Sequence, residues 1–299
     1  MRPPPRVMPA LVTPFDGGGE LDEAAHRSNL RKLAEKGMEG YLIGGSTGEG
    51  PYLEPGERYR LVSVARAELG TGAFLICGIA AEAQRVALGQ LAEAADAGAD
   101  AALVMTPTTL IRDDHAAVAA YYHMLADVSP LPIMVYSVPP YTGYQPPVDV
   151  VAELSQHPGI VGMKDSGGDP VRIGSIAEAT GADFFLFSGS TAAMVLAITA
   201  GAYGVITSSC NYLPVQIQQV VTTAIHSPLE ARRPHQALAS VVAEVEQYRI
   251  PGVKAAAAAA GLNPGECRLP LRPVPEHVRT AIEAALASLI PSVVTMPAS

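Results

Sequence analysis

A (β/α)8 TIM barrel with a C-terminal helical extension is the α/β fold this sequence predicts. Eight short apolar runs alternate with helix-like segments over residues 1–226. Each run is apolar throughout instead of alternating, which is the pattern of a parallel sheet covered on both faces. No Rossmann glycine fingerprint interrupts the eight units, so closure into a barrel is favoured over a doubly wound open sheet.

In chain order, strand runs lie at about 7–14, 40–45, 74–80, 101–107, 132–139, 160–166, 184–190 and 204–209. Helix patterns lie near 22–36, 55–69, 82–97, 113–127, 148–156, 170–179, 192–200 and 214–226. Turn signals such as Glu54-Pro55-Gly56 and Gly168-Asp169-Pro170 precede two of them, with proline suited to a first helical turn. Beyond residue 227 the strands stop: 228–249 and 276–289 read as helices, with a short alanine-rich helix between Pro251-Gly252 and Gly261. The expected division is a barrel over 1–226 and a packed helical extension over 227–299. The final dozen residues, SLIPSVVTMPAS, are expected to be loosely ordered.

Composition narrows the function classes. With 299 residues, 48% hydrophobic and 16% charged, the chain has ample material for a core. It holds no run of eighteen apolar residues, so a membrane span is not expected. The start, MRPPPRVMPALVTPF, leaves no room for a signal h-region, which makes a cytoplasmic location the expectation. A net charge of −9 with no basic block argues against nucleic acid as a partner and leaves a small molecule. Cys77, Cys210 and Cys267 are far apart and lack C-x-x-C pairing, as in a reduced compartment. The seven histidines are dispersed with no metal-binding spacing.

In barrels of this kind, chemistry gathers at the carboxyl ends of the strands. The sixth run, VGMKDSGGD, carries Lys164 there. The chain has four lysines; Lys32 and Lys36 sit on a charged helix face, Lys254 opens the alanine-rich helix, and Lys164 alone lies in a predicted buried strand. Desolvation lowers the pKa of a buried amine and frees its neutral form as a nucleophile toward carbonyls. The structural alternatives are a snorkelling side chain or an ion pair with Asp165, the latter weakened because strand neighbours point to opposite faces. Tyr136, one strand over near the same end, can relay protons to and from an imine or a substrate hydroxyl; packing alone is its ordinary alternative. Residues 44–48 match G-x-S-x-G literally, yet Pro51 and Pro55 delay the helix that a nucleophile elbow needs. The stretch GGSTGEG also lacks the ending of a P-loop. Its glycines, with Ser46 and Thr47, suit either a small anion such as a carboxylate or a plain βα turn.

GGSTGEG, YSVPPYTG, GMKDSGGD and SGS at these intervals resemble the dihydrodipicolinate synthase and N-acetylneuraminate lyase superfamily of pyruvate-type class I aldolases. The similarity to the superfamily covers nearly the full chain, and within it the sequence resembles the 4-hydroxy-2-oxoglutarate aldolase branch, through GSTGEGPYL, the string from YSVPPYTG to GGDPVRIG, and RIPGVK followed by GECRLPL. The resemblance implies a Schiff-base lysine at Lys164, a proton-relay tyrosine at Tyr136 and a relay hydroxyl at Ser46. It implies that Thr47 holds the keto-acid carboxylate with Ser46, that Gly189 and Ile206 line the keto-acid pocket, and that Ser166 contacts the substrate's distal end. It further implies no metal or organic cofactor and a homo-oligomer, dimer or tetramer.

Two positions depart from the superfamily's pattern. A tyrosine pair usual after the fourth strand is replaced by Thr108 and Thr109 in TPTTLIRDD, and an arginine of true synthases after the fifth strand is replaced by Tyr141. The expected reaction is cleavage of 4-hydroxy-2-oxoglutarate, or a similar 2-oxo acid, to pyruvate and an aldehyde such as glyoxylate. A related 2-oxo-acid aldolase, dehydratase or synthase is the alternative. A non-catalytic 2-oxo-acid-binding protein is the competing class, against which Lys164, Tyr136 and Ser46 together argue.

Overall fold

A computed structural model describes residues 2–112 and 114–289. Its strands are β1 (Val7–Pro9), β2 (Gly40–Ile43), β3 (Phe74–Ile79), β4 (Ala101–Met105), β5 (Ile133–Ser137), β6 (Ile160–Asp165), β7 (Phe185–Ser188) and β8 (Gly204–Thr207). They form one parallel sheet in the order β1-β8-β7-β6-β5-β4-β3-β2. A parallel bridge between Ala10 and Leu42, with the Leu11 N–H donating to the Leu42 carbonyl at 2.9 Å, joins the two ends. The result is a (β/α)8 barrel with C-terminal helices.

The barrel helices are α1 (Glu23–Glu35), α2 (Glu57–Leu69), α3 (Gln84–Asp96), α4 (His115–Val128), a one-turn α5 (Pro139–Thr142), α6 (Val148–Ser155), α7 (Pro170–Ala179), α8 (Met194–Thr199) and α9 (Pro214–His226). The extension is α10 (Pro228–Glu246), α11 (Arg249–Ala259) and α12 (Glu276–Ala287). Starts follow local chemistry: the Asp22, Asp114 and Asp169 carboxylates accept the backbone N–H of Ala25, Ala117 and Val171, and Pro170 supplies a fixed φ at the first turn of α7. The last ten residues of the SLIPSVVTMPAS tail lie outside the described residues.

The first strand is shorter than the 7–14 expected. Beyond Leu11 the ladder gives way to side-chain bonds: the Val12 N–H donates to Asn211 Oδ1 at 3.1 Å, and the Thr13 side chain donates through Oγ1 to the Gly48 carbonyl at 2.6 Å. Those bonds tie the chain after β1 to the loops after β2 and β8.

Two cores result from the period-2 alternation of the strands. Met8, Leu42, Phe74, Ile76, Leu103, Met134, Phe187 and Ile206 fill the barrel interior, and a larger cluster packs the outer strand faces against the helices. The extension is pinned across the barrel's C-terminal end by buried charges. Lys254 Nζ lies 2.6 Å from Glu49 Oε1, and Arg268 makes a two-pronged pair with Glu57 at 2.6 and 2.7 Å. The Arg268 guanidinium carbon also stands 4.1 Å from the centre of the Phe15 ring. These anchors bring the junction between α10 and α11 over the strand ends.

Candidate active site

Lys164 lies in register with Tyr136 on β5 and Phe187 on β7, so all three side chains share the barrel's inner face. Asp165 points the other way. It accepts from Arg172 Nε at 2.9 Å and from the Gly167 N–H at 2.8 Å, which removes it as a partner for Lys164. The ammonium is therefore buried, at 4% exposure, without a carboxylate in contact among the described residues. Burial lowers its pKa from 10.5 to about 8, with Glu246 and Cys210 pulling weakly the other way. A useful fraction of neutral amine is thus present near neutral pH.

Tyr136 is 5% exposed, and Lys164 Nζ stands 4.8 Å from its ring centre. Burial raises the phenol's pKa, while hydrogen bonds with Ser46 and Ser166 oppose the rise. The ring carries its proton at neutral pH and is connected on both sides to hydroxyls that can pass one on. The thiol of Cys210, near Lys164, does not compete as a nucleophile, because burial pushes it up to about 12.

One cavity of about 300 Å³ joins these groups. Ser46, Thr47, Tyr136, Lys164, Ser166 and Gly189 all line it. Gly189 is required by space: a Cβ there would collide with Ser166 Oγ and come within 2.9 Å of Lys164 Cε. Ile206 is not in the lining; it is fully buried in the barrel interior, paired in register with Met8. Thr108 and Thr109 also lie outside the lining, their backbone N–H groups both donating to Glu82 Oε2 at 3.0 Å. Among the described residues no group of three or more His, Cys, Asp or Glu side chains could hold a metal ion.

The extension adds residues to the cavity that the barrel pattern does not reveal. Glu246, the last residue of α10, lines it and accepts a hydrogen bond from Ser208 Oγ. Its side chain opens to the cavity, yet the surrounding protein atoms still raise its carboxyl's pKa by desolvation. Arg249, the first residue of α11, lines it as well and adopts a left-handed φ of +53°. Its guanidinium carbon stands 5.9 Å from the ring centre of Tyr141, so the loop after β5 and the extension meet at the cavity mouth. The chain signals only a helix boundary at RIPG, because nothing local says where that boundary will sit.

A profile described as the dihydrodipicolinate synthetase family matches residues 3–289. The chain belongs to that family. Among similar curated proteins, the 4-hydroxy-tetrahydrodipicolinate synthase of Methanothermobacter thermautotrophicus is 33% identical over 265 residues, 86% of this chain and 93% of the relative. That of Methanospirillum hungatei is 33% identical over 286 residues, covering 94% and 97%. Among solved structures, a dihydrodipicolinate synthase from Bacillus anthracis superposes with a TM-score of 0.91 at 28% identity, over 97% of this chain and 100% of that one. Family membership makes the protein an enzyme, a lyase of the aldolase type that works through a lysine Schiff base. No helix among the described residues is long and apolar enough to cross a membrane.

Proposed function

We propose that the protein is a class I aldolase that cleaves 4-hydroxy-2-oxoglutarate, or a similar 2-oxo acid, to pyruvate and an aldehyde such as glyoxylate. The observation that carries the proposal is the buried, carboxylate-free Lys164 amine at the base of a polar cavity, with Tyr136 at its side. The neutral amine attacks the C2 ketone and water leaves, giving an iminium that serves as electron sink. As the C3–C4 bond breaks and its electrons move to the iminium, the C4 hydroxyl proton passes to the Tyr136 oxygen while the phenol hands its own proton on through the Ser46 hydroxyl to solvent in the cavity. The aldehyde departs, the enamine is protonated at C3, and water hydrolyses the iminium to release pyruvate and the amine. Ser46 and Thr47 hold the keto-acid carboxylate, with Gly189 leaving it room; Ser166 faces the distal end, and Ile206 supports the pocket from the barrel core. No cofactor enters these steps.

A second reading is favoured by the names of the relatives: condensation of pyruvate with an aldehyde to form 4-hydroxy-tetrahydrodipicolinate. Tyr141, in the position where the resemblance leads one to expect arginine in such synthases, argues for the first. Release of glyoxylate and pyruvate from 4-hydroxy-2-oxoglutarate, against no formation of 4-hydroxy-tetrahydrodipicolinate, supports the aldolase; the reverse outcome replaces it with the synthase. The three free cysteines suit a reducing, cytoplasmic setting. A homo-oligomer, dimer or tetramer, belongs to the same reading and is checked by sedimentation.

A further inference from the structure

We infer that Arg249 is the receptor for a carboxylate at the far end of the 2-oxo acid, so that the site selects dicarboxylic over monocarboxylic substrates. The inference rests on the reading of Lys164 as the Schiff-base amine and adds the substrate class that reaches it.

Arg249 lines the cavity that Lys164 lines, Lys164 from β6 of the barrel and Arg249 from α11 of the extension. Its exposed guanidinium faces the Tyr141 ring and, among the described residues, makes no ion pair or side-chain hydrogen bond. Glu246, the carboxylate of the same cavity wall three positions earlier, accepts from Ser208 and does not bridge to Arg249. The fork of guanidinium N–H donors is thus free, in a site where a planar, bidentate carboxylate would satisfy it.

The backbone adds an independent point. Arg249 holds a left-handed φ that glycine adopts without strain and an arginine does not. At the same junction the chain packs closely, since a Cβ on Gly252 would strike the Val245 carbonyl and stand 2.8 Å from Tyr248 Cβ. A strained conformation carrying a long, unpaired cation into a cavity is an arrangement expected of a ligand clamp.

The test compares two 2-oxo acids of equal chain length, 2-oxoglutarate and 2-oxopentanoate, which differ in the far carboxylate. Borohydride trapping on Lys164 is followed against concentration in the unaltered protein, in Arg249→Gly, which relieves the backbone strain, and in Arg249→Gln. Thermal melting verifies that each variant is folded. The unaltered protein is expected to half-saturate with 2-oxoglutarate at a concentration at least about tenfold lower than with 2-oxopentanoate, and both variants bring that ratio toward one. A ratio near one in the unaltered protein, or one that persists in the variants, overturns the inference. If neither acid is trapped on Lys164, the Schiff-base reading fails. Calorimetric titration of the same pair then decides the receptor by the same ratio.

Discussion

Lys164 and Lys254 are equally buried, each 4% exposed, and the protein uses them in opposite ways. Lys254 reaches from α11 to Glu49 at 2.6 Å, donates to the Glu266 carbonyl, and faces the Phe15 ring at 5.1 Å. Its charge is matched, so it serves as a strut between the extension and the loop after β2. Lys164 has no such acid, only a ring face and a cavity, and desolvation acts on it unopposed by contact. Burial alone therefore does not make a lysine reactive; burial without a partner does. The Glu49–Lys254 strut also holds the loop that carries Ser46 and Thr47, so the paired lysine fixes the walls within which the unpaired one works.

Exchanging each lysine for methionine separates the two roles most sharply. Lys164→Met is expected to lower turnover by at least about 10⁴-fold, because no other group supplies the electron sink. Lys254→Met is expected to cost about 3–5 kcal/mol in urea unfolding, because it strands the Glu49 carboxylate in the interior. A Lys254→Met and Glu49→Gln double variant regains part of that loss if the pair is the cause. Lys164→Met has the opposite effect on stability. The folded-state pKa of Lys164 lies below its value of 10.5 in the unfolded chain, so the unfolded chain binds the extra proton. The penalty is complete below about pH 8 and lifts as pH rises from about 8 to 10.5. Lys164→Met is thus expected to be more stable than the parent at pH 7, on the order of 1–3 kcal/mol, with the gap closing toward pH 10.5. Equal destabilisation by both substitutions would erase the distinction between strut and nucleophile. The smallest effect belongs to Glu246→Gln. Glu246 raises the Lys164 pKa, so its removal is expected to shift the acid limb of the pyruvate-trapping rate downward by less than about one pH unit.

Lys164 was legible in the sequence because an ammonium inside an apolar run breaks the local pattern, and because its neighbours in register carry their own strand-end motifs. Lys254 was not: next to an alanine-rich helix it reads as a solvated helix start, and its acid lies in GGSTGEG, far away in the chain. The barrel itself followed from period and length, which are local properties. The α10–α11 junction did not, since the positive φ at Arg249 and the close approach of Gly252 to Val245 exist only once the two helices have packed. The same is true of Glu246, whose place in the cavity depends on Ser208 at the end of β8. Residues on strand ends announce the site; those contributed by the extension require the assembled fold.

The most direct measurement is the position of the covalent adduct after the protein is incubated with pyruvate and reduced with borohydride. Peptide mass analysis is expected to find one modified lysine, Lys164, with Lys254 untouched and the rate of trapping rising with pH toward a plateau above about 8. Absence of an adduct, or its appearance on Lys254 or the surface pair Lys32 and Lys36, would contradict the assignment of Lys164 as the protein's carbonyl-condensing amine.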